Sequence, residues 1–164
     1  MTTRNFIVTD AGGQRIAAAS TLWAMIDVKT RQPLDLRDNV DYSRALLAIP
    51  CPIDKPAKIG RIEGVPCDSR RVRYSDIDFN QHTNSMKYIQ WMLDALPLEK
   101  LTGCRMKRLD VNFVHETRYG QQLVVCCERG TDRDRFEIRF EDGTAACKAA
   151  IRWETSDERS NQTA

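Results

Sequence analysis

The stretch Tyr74–Leu96, YSDIDFNQHTNSMKYIQWMLDAL, decides the reading of this chain. Asp76, Asp78, Asn80, His82 and Asn84 crowd into the residues just ahead of an apolar pattern. Met86, Ile89, Leu93 and Leu96 recur at helical spacing, with Tyr88 and Met92 alongside, so Ser85–Leu96 is expected to be a helix with a broad buried face. Thr83 or Asn84 is placed to cap it, and Pro97 helps to end it. Capping accounts for Asn84, since Asp and Asn are ordinary residues ahead of a helix. It does not account for an imidazole. On an extended backbone Asp78, Asn80 and His82 alternate and point together into a crevice at the helix N-terminus. There, unpaired amides and a partial positive charge suit a developing oxyanion. The three are therefore read as a base, its orienting carboxylate and an amide donor.

Composition sets the background. Of 164 residues, 41% are hydrophobic and 29% charged, ordinary for one globular domain with room for part of a second. The net charge of +2, from 25 basic and 23 acidic residues, gives no global field toward nucleic acid or membrane. The basic clusters Ser69–Arg73 and Arg105–Arg108 read as solvated strand faces, with an acidic partner as the minority reading. Six cysteines lack metal-ligand spacing. Reduced thiols in a cytoplasmic protein are the simplest account, and neither metal nor cofactor is expected. The N-terminus lacks a secretory profile, and no apolar run approaches a membrane span.

Four regions follow along the chain. Residues 1–30 read as a terminal hairpin, with NFIVT as one strand, a turn over Asp10–Gln14 and a return through Trp23 and Ile26. Two strands cannot bury both faces, so this hairpin must add to another sheet. Residues 31–68 carry Pro33, Pro50, Pro52, Pro56 and Pro66 and read as a connector, with at most one short helix near YSRALLAI. Residues 69–154 hold a strand through RRVRYSD, the helix, and three alternating segments. In the first segment Leu109, Val111, Phe113 and His115 share one face, and Asp110, Asn112, Val114 and Glu116 the other. QQLVVCCE is a strand, and a hairpin follows around Asp142-Gly143. There Phe136, Ile138 and Phe140 alternate on the way out, and Cys147, Ala149, Ile151 and Trp153 on the way back. Residues 155–164 are expected to be disordered. The layout is α+β, a sheet of antiparallel strands around a central helix.

Ser75, Asp76, Asp78, Asn80, His82, Asn84, Lys87, Tyr88 and Trp91 together resemble the active-site segment of the plant and bacterial acyl-carrier-protein thioesterases, with Ser85 where the pattern has a second Asn. Upstream, GQRIAAASTLWAMIDVKTRQPLDL is similar to the last hairpin of that family's first domain. The resemblance covers nearly the whole chain up to about Trp153. It implies a hot-dog fold: one complete hot-dog preceded by the last hairpin of a truncated one. It further implies hydrolysis of fatty acyl groups from acyl carrier protein in fatty acid biosynthesis, with Asp78, Asn80, His82 and Glu116 as the catalytic positions. Many plant members follow that Glu with a Cys, whereas this chain has Thr117, so an obligatory thiol nucleophile there is excluded. Water attack remains, with His82 or Glu116 as base and Asp78 orienting the imidazole. His115 reads as a structural histidine, Trp91 and Trp153 as packing residues, and Met86 and Met92 as core. A double hot-dog needs about twice a domain of roughly 100–150 residues, so either this is a fragment or a partner hot-dog completes the layer in a homo-oligomer. Two other functions stay open: a coenzyme A thioesterase, for which Asp78 and His82 also have suitable spacing, and a non-catalytic acyl-thioester-binding module.

Overall fold

The computed structural model describes residues 1–30, 32–39, 41 and 49–154. Residues 42–48, which hold most of the YSRALLAI segment, and the tail at 155–164 lie outside them. The chain divides into two compact units, Met1–Ala57 and a second that begins at Lys58.

The first unit is built on a two-stranded sheet. Strands β1 (Thr2–Thr9) and β2 (Arg15–Trp23) pair antiparallel, Phe6 opposite Ala19. Their turn closes through the Asp10 amide to the Gln14 carbonyl at 2.9 Å, with Gly13 at φ 83°. That left-handed conformation is one glycine adopts without strain. Phe6, Ile7 and Val8 are consecutive and all half-exposed, so apolar side chains on both faces of this hairpin reach solvent, although Ser20, bonded to Asn5, is buried. A one-turn helix, α1 (Leu36–Asn39), follows.

The second unit is a five-stranded antiparallel sheet on a helix. Strands β3 (Val65–Arg71), β4 (Met106–Phe113), β5 (Gln122–Glu128), β6 (Arg133–Phe140) and β7 (Ala145–Trp153) lie in the order β3-β5-β6-β7-β4. Helix α2 (Ser85–Asp94) and the short α3 (Leu98–Gly103) connect β3 to β4. The β6–β7 hairpin turns at Gly143, φ 83°, as the Asp-Gly signal requires. Phe136, Ile138, Cys147, Ala149, Ile151 and Trp153 are buried against Tyr88, Trp91 and Met92 of α2.

Three expectations change in detail. The buried face of α2 centres on Tyr88, Trp91 and Met92, while Met86 is 62% exposed. The stripe is rotated toward the two large aromatics and Met92, with Leu93 packing at its edge and Met86 left outside it. The strand expected through RRVRYSD begins earlier, at Val65, and gives way to a 3₁₀ turn over Tyr74–Asp76. Finally, residues 58–64, expected to be linker, form a strap within the second unit that packs on its sheet. Ile59, Ile62 and Ala150 form a small apolar cluster. The strap's backbone is held by side chains of the sheet: the Ile59 amide donates to Asn112 Oδ1 at 2.8 Å, the Ile62 amide to Glu137 Oε2 at 3.3 Å, and the Glu63 amide to Glu128 Oε1 at 2.7 Å. Arg135 and Arg139 donate to the carbonyls of Arg61 and Ile62. Alternation explains the side: Ala150, Glu137 and Arg139 point away from α2, opposite their buried neighbours.

Candidate active site

The loop between β3 and α2 is not extended. Ile77 bridges Thr83, the Asp78 amide donates to the His82 carbonyl at 2.9 Å, and the Gln81 amide to the Asp78 carbonyl at 3.0 Å. Gln81 makes the reversal at φ 64°. A non-glycine residue in that region is uncommon, and Gln81 carries no turn signature of the kind Gly or Asn provides. The Asp78 carboxylate accepts the Asn80 amide at 2.8 Å, so Asp78 organises the tip of the loop. That corrects the expectation of an extended segment with Asp78 orienting the imidazole.

At the mouth of α2, Asn84 is the cap, its Oδ1 accepting the Met86 amide at 2.9 Å. This first-turn amide is therefore already engaged rather than offered to an oxyanion. Asp76, almost fully buried, anchors the approach: its Oδ2 accepts the Arg73 amide at 2.8 Å, its carbonyl accepts the Asn84 amide at 2.8 Å, and Lys87 Nζ lies 3.6 Å from Oδ1.

Glu116 arrives from the other side. At the end of β4 the amides of Val114 and His115 both donate to the Ala146 carbonyl, at 2.9 and 3.0 Å. Such a bulge ends the ladder and re-aims the residues after it. The following segment runs beside the loop, the Thr83 amide donating to the Thr117 carbonyl at 2.9 Å. The structure thereby brings His82 and Glu116 together, Nε2 to Oε2 at 3.2 Å, with side chains 24% and 46% exposed. His115 is exposed and its Nδ1 lies 2.8 Å from the Ala145 carbonyl. Asn80 is exposed on the loop.

Beneath the pair lies a group that sequence reasoning missed. Thr117 is fully buried, its Oγ1 donating to Thr83 Oγ1 at 2.6 Å and lying 2.7 Å from the Tyr88 hydroxyl, which also accepts the Thr117 amide at 3.1 Å. Burial pushes the Tyr88 phenol up, against the pull of its hydrogen bonds with Thr117. The sequence marked 117 as the place where a cysteine was absent. It did not show that the side chain faces inward. Two of the chain's thiols are unsuited as nucleophiles: burial pushes Cys147 up to about 12, and burial with its neighbour Cys127 does the same to Cys67. Among the described residues no three His, Cys, Asp or Glu side chains converge as a metal site would require, and no helix is long and apolar enough to cross a membrane.

Residues 63–155, more than half of the chain, match the family model of the acyl-ACP thioesterase C-terminal domain. An acyl-[acyl-carrier-protein] hydrolase of Cuphea viscosissima is 27% identical over 173 residues, which cover 96% of this chain and 41% of that protein. An oleoyl-acyl carrier protein thioesterase of Coriandrum sativum is 28% identical over 145 residues, 81% of this chain and 39% of the relative. The chain thus spans about two fifths of the length of these plant relatives. Among solved structures, an acyl-ACP thioesterase from Bacteroides thetaiotaomicron superposes with a TM-score of 0.81 at 31% identity, covering 93% of this chain and 62% of that one. The 12:0-ACP thioesterase from Umbellularia californica, at 18% identity and a TM-score of 0.72, shares the fold over 93% of this chain and 62% of its own. The α+β hot-dog arrangement and the motif around His82 thus meet in one assignment: the chain belongs to the acyl-ACP thioesterase family.

Proposed function

We propose that this chain hydrolyses fatty acyl thioesters of acyl carrier protein, with His82 as general base and Glu116 as its orienting carboxylate. The observation that carries this reading is the 3.2 Å separation of His82 Nε2 and Glu116 Oε2 within the family-matched domain. With Nε2–H donated to the carboxylate, Nδ1 holds the lone pair, the tautomer a base needs. Water then attacks the thioester carbonyl carbon as Nδ1 takes its proton. The oxyanion is held by the Asn80 side-chain amide, exposed on the loop, while Asp78 steadies that residue by accepting its backbone N–H. Collapse breaks the carbon–sulfur bond, and the imidazolium returns its proton to the departing thiolate, leaving a fatty acid and a free thiol. Phe113 and Val114, about half exposed just ahead of Glu116, offer apolar surface that suits an acyl chain.

The test is thiol release from acyl-carrier-protein and coenzyme A thioesters of the same acyl group. The carrier-protein substrate is expected to turn over faster. His82→Ala is expected to lower kcat by about 10²–10⁴-fold, the worth of a positioned base. Equal turnover by the variant would remove His82 from the chemistry, and preference for the coenzyme A substrate would reassign the carrier.

A further inference from the structure

His82 and Thr83 are consecutive, as are Glu116 and Thr117, and the two dipeptides lie side by side. Their outward members form the partly exposed His82–Glu116 pair. Their inward members form a hydroxyl chain that is all but inaccessible to water, Thr83 at 6% and Thr117 at 0% exposure. Each hydroxyl has one proton to give. With Thr117 donating to Thr83, the proton between Tyr88 and Thr117 comes from Tyr88, which in turn accepts the Thr117 amide. The order is closed: Tyr88 on helix α2 fixes Thr117, and Thr117 fixes the loop at Thr83. Resting on the hydrolase reading above, we propose that Thr117 is a positioning residue whose buried hydroxyl, clamped by Tyr88 and bonded to Thr83, sets the distance and angle at which Glu116 meets His82.

The alternative is a hydroxyl that only supports the core. Thr117→Val separates the two, since it keeps the shape and removes the hydroxyl's bonds to Thr83 and Tyr88 while leaving those of the Thr117 backbone. Under conditions where each full-length variant is folded by circular dichroism, Thr117→Val is expected to lower kcat by about 10²-fold, the scale of a misplacement near 1 Å, with KM little changed. Thr117→Ser restores the hydroxyl and is expected to recover most of that loss, although it gives up a methyl group from the core. Tyr88→Phe is expected to fall between the two.

A second readout is independent of turnover. In protein labelled at histidine with ¹⁵N, the His82 imidazole N–H resonance, protected by Glu116, is expected in the parent and in Thr117→Ser. It is expected to exchange away in Thr117→Val, while His115, held at the Ala145 carbonyl, serves as the internal control. A folded Thr117→Val with the parental kcat and an unchanged His82 resonance would overturn the proposal. Should that variant not fold, Thr83→Val removes the same bond from the loop side and is judged by the same two readouts. A parent that hydrolyses no acyl thioester would defeat the hydrolase reading. The resonance would still tell whether the Thr117 hydroxyl holds the pair.

Discussion

The molecule contains two hairpins of similar local design and opposite fate. Strands β1–β2 and β6–β7 each pair antiparallel across a turn containing a glycine at φ 83°. In the first, Phe6, Ile7 and Val8 stand in a row and all are about half exposed. In the second, Phe136 and Ile138 are fully buried under α2, while Glu137 between them is buried on the other face beneath the strap at 58–64. Turn chemistry therefore specifies that a hairpin forms and says nothing of what it is worth. Its worth comes from the elements packed above and below, and a two-stranded ribbon alone is marginal.

The contrast can be broken first at the phenylalanines. Phe136→Ala is expected to destabilise the second unit by about 3–5 kcal/mol in urea unfolding, because the cavity lies in close-packed core. Phe6→Ala, at an exposed site, is expected to stay within about 0.5 kcal/mol. Similar losses at both positions would erase the distinction between the hairpins.

A smaller effect tests the polar end of β6. Asp134 is fully buried, its carboxylate receiving Lys100 Nζ at 2.8 Å, Trp153 Nε1 at 2.6 Å and the Gly130 amide at 3.0 Å. Asp134→Asn keeps the volume and removes the charge that matches Lys100, with an expected cost of about 1.5–3 kcal/mol in the same unfolding assay.

The smallest effect concerns the strap face and depends on pH. Burial works to raise the Glu137 carboxyl, but Arg139, at 2.7 Å, and Lys148 overcome it and hold the group below its ordinary value of 4.5. A carboxyl with a lower folded value binds fewer protons than the unfolded chain does. Its stabilisation is thus present above 4.5 and is lost as pH falls through the lowered value. Glu137→Gln is expected to cost about 1 kcal/mol at neutral pH and to converge with the parent in acid. A gap that persists at low pH would place the effect in packing instead of charge.

How far the sequence could be read follows the same division. The helix, its Asn84 cap and the β6–β7 alternation were legible because each is written in residues a few positions apart. His82 and Glu116 were both identified, yet their pairing depends on a bulge at Val114–His115 that the apolar alternation does not betray. The reversal at Gln81 was hidden because no glycine announces it. The strap read as linker because its backbone is satisfied by Asn112, Glu128 and Glu137, residues remote in sequence. Thr117 was missed for a related reason: its partners at 83 and 88 are long-range neighbours.

The strap also bears on the order of assembly. Its amides and carbonyls are bonded by side chains that project from strands already paired with one another, so its docking surface does not exist until the sheet does. The β6–β7 hairpin, with contacts close in sequence, has little loop entropy to overcome, whereas Ile62 must find Glu137 across most of the domain. Residues 58–64 are therefore expected to dock late, with φ-values near zero in a folding and unfolding rate series. Loosening them is then expected to speed unfolding while leaving the folding rate nearly as it was, so that the strap bears on the lifetime of the domain more than on how fast it forms.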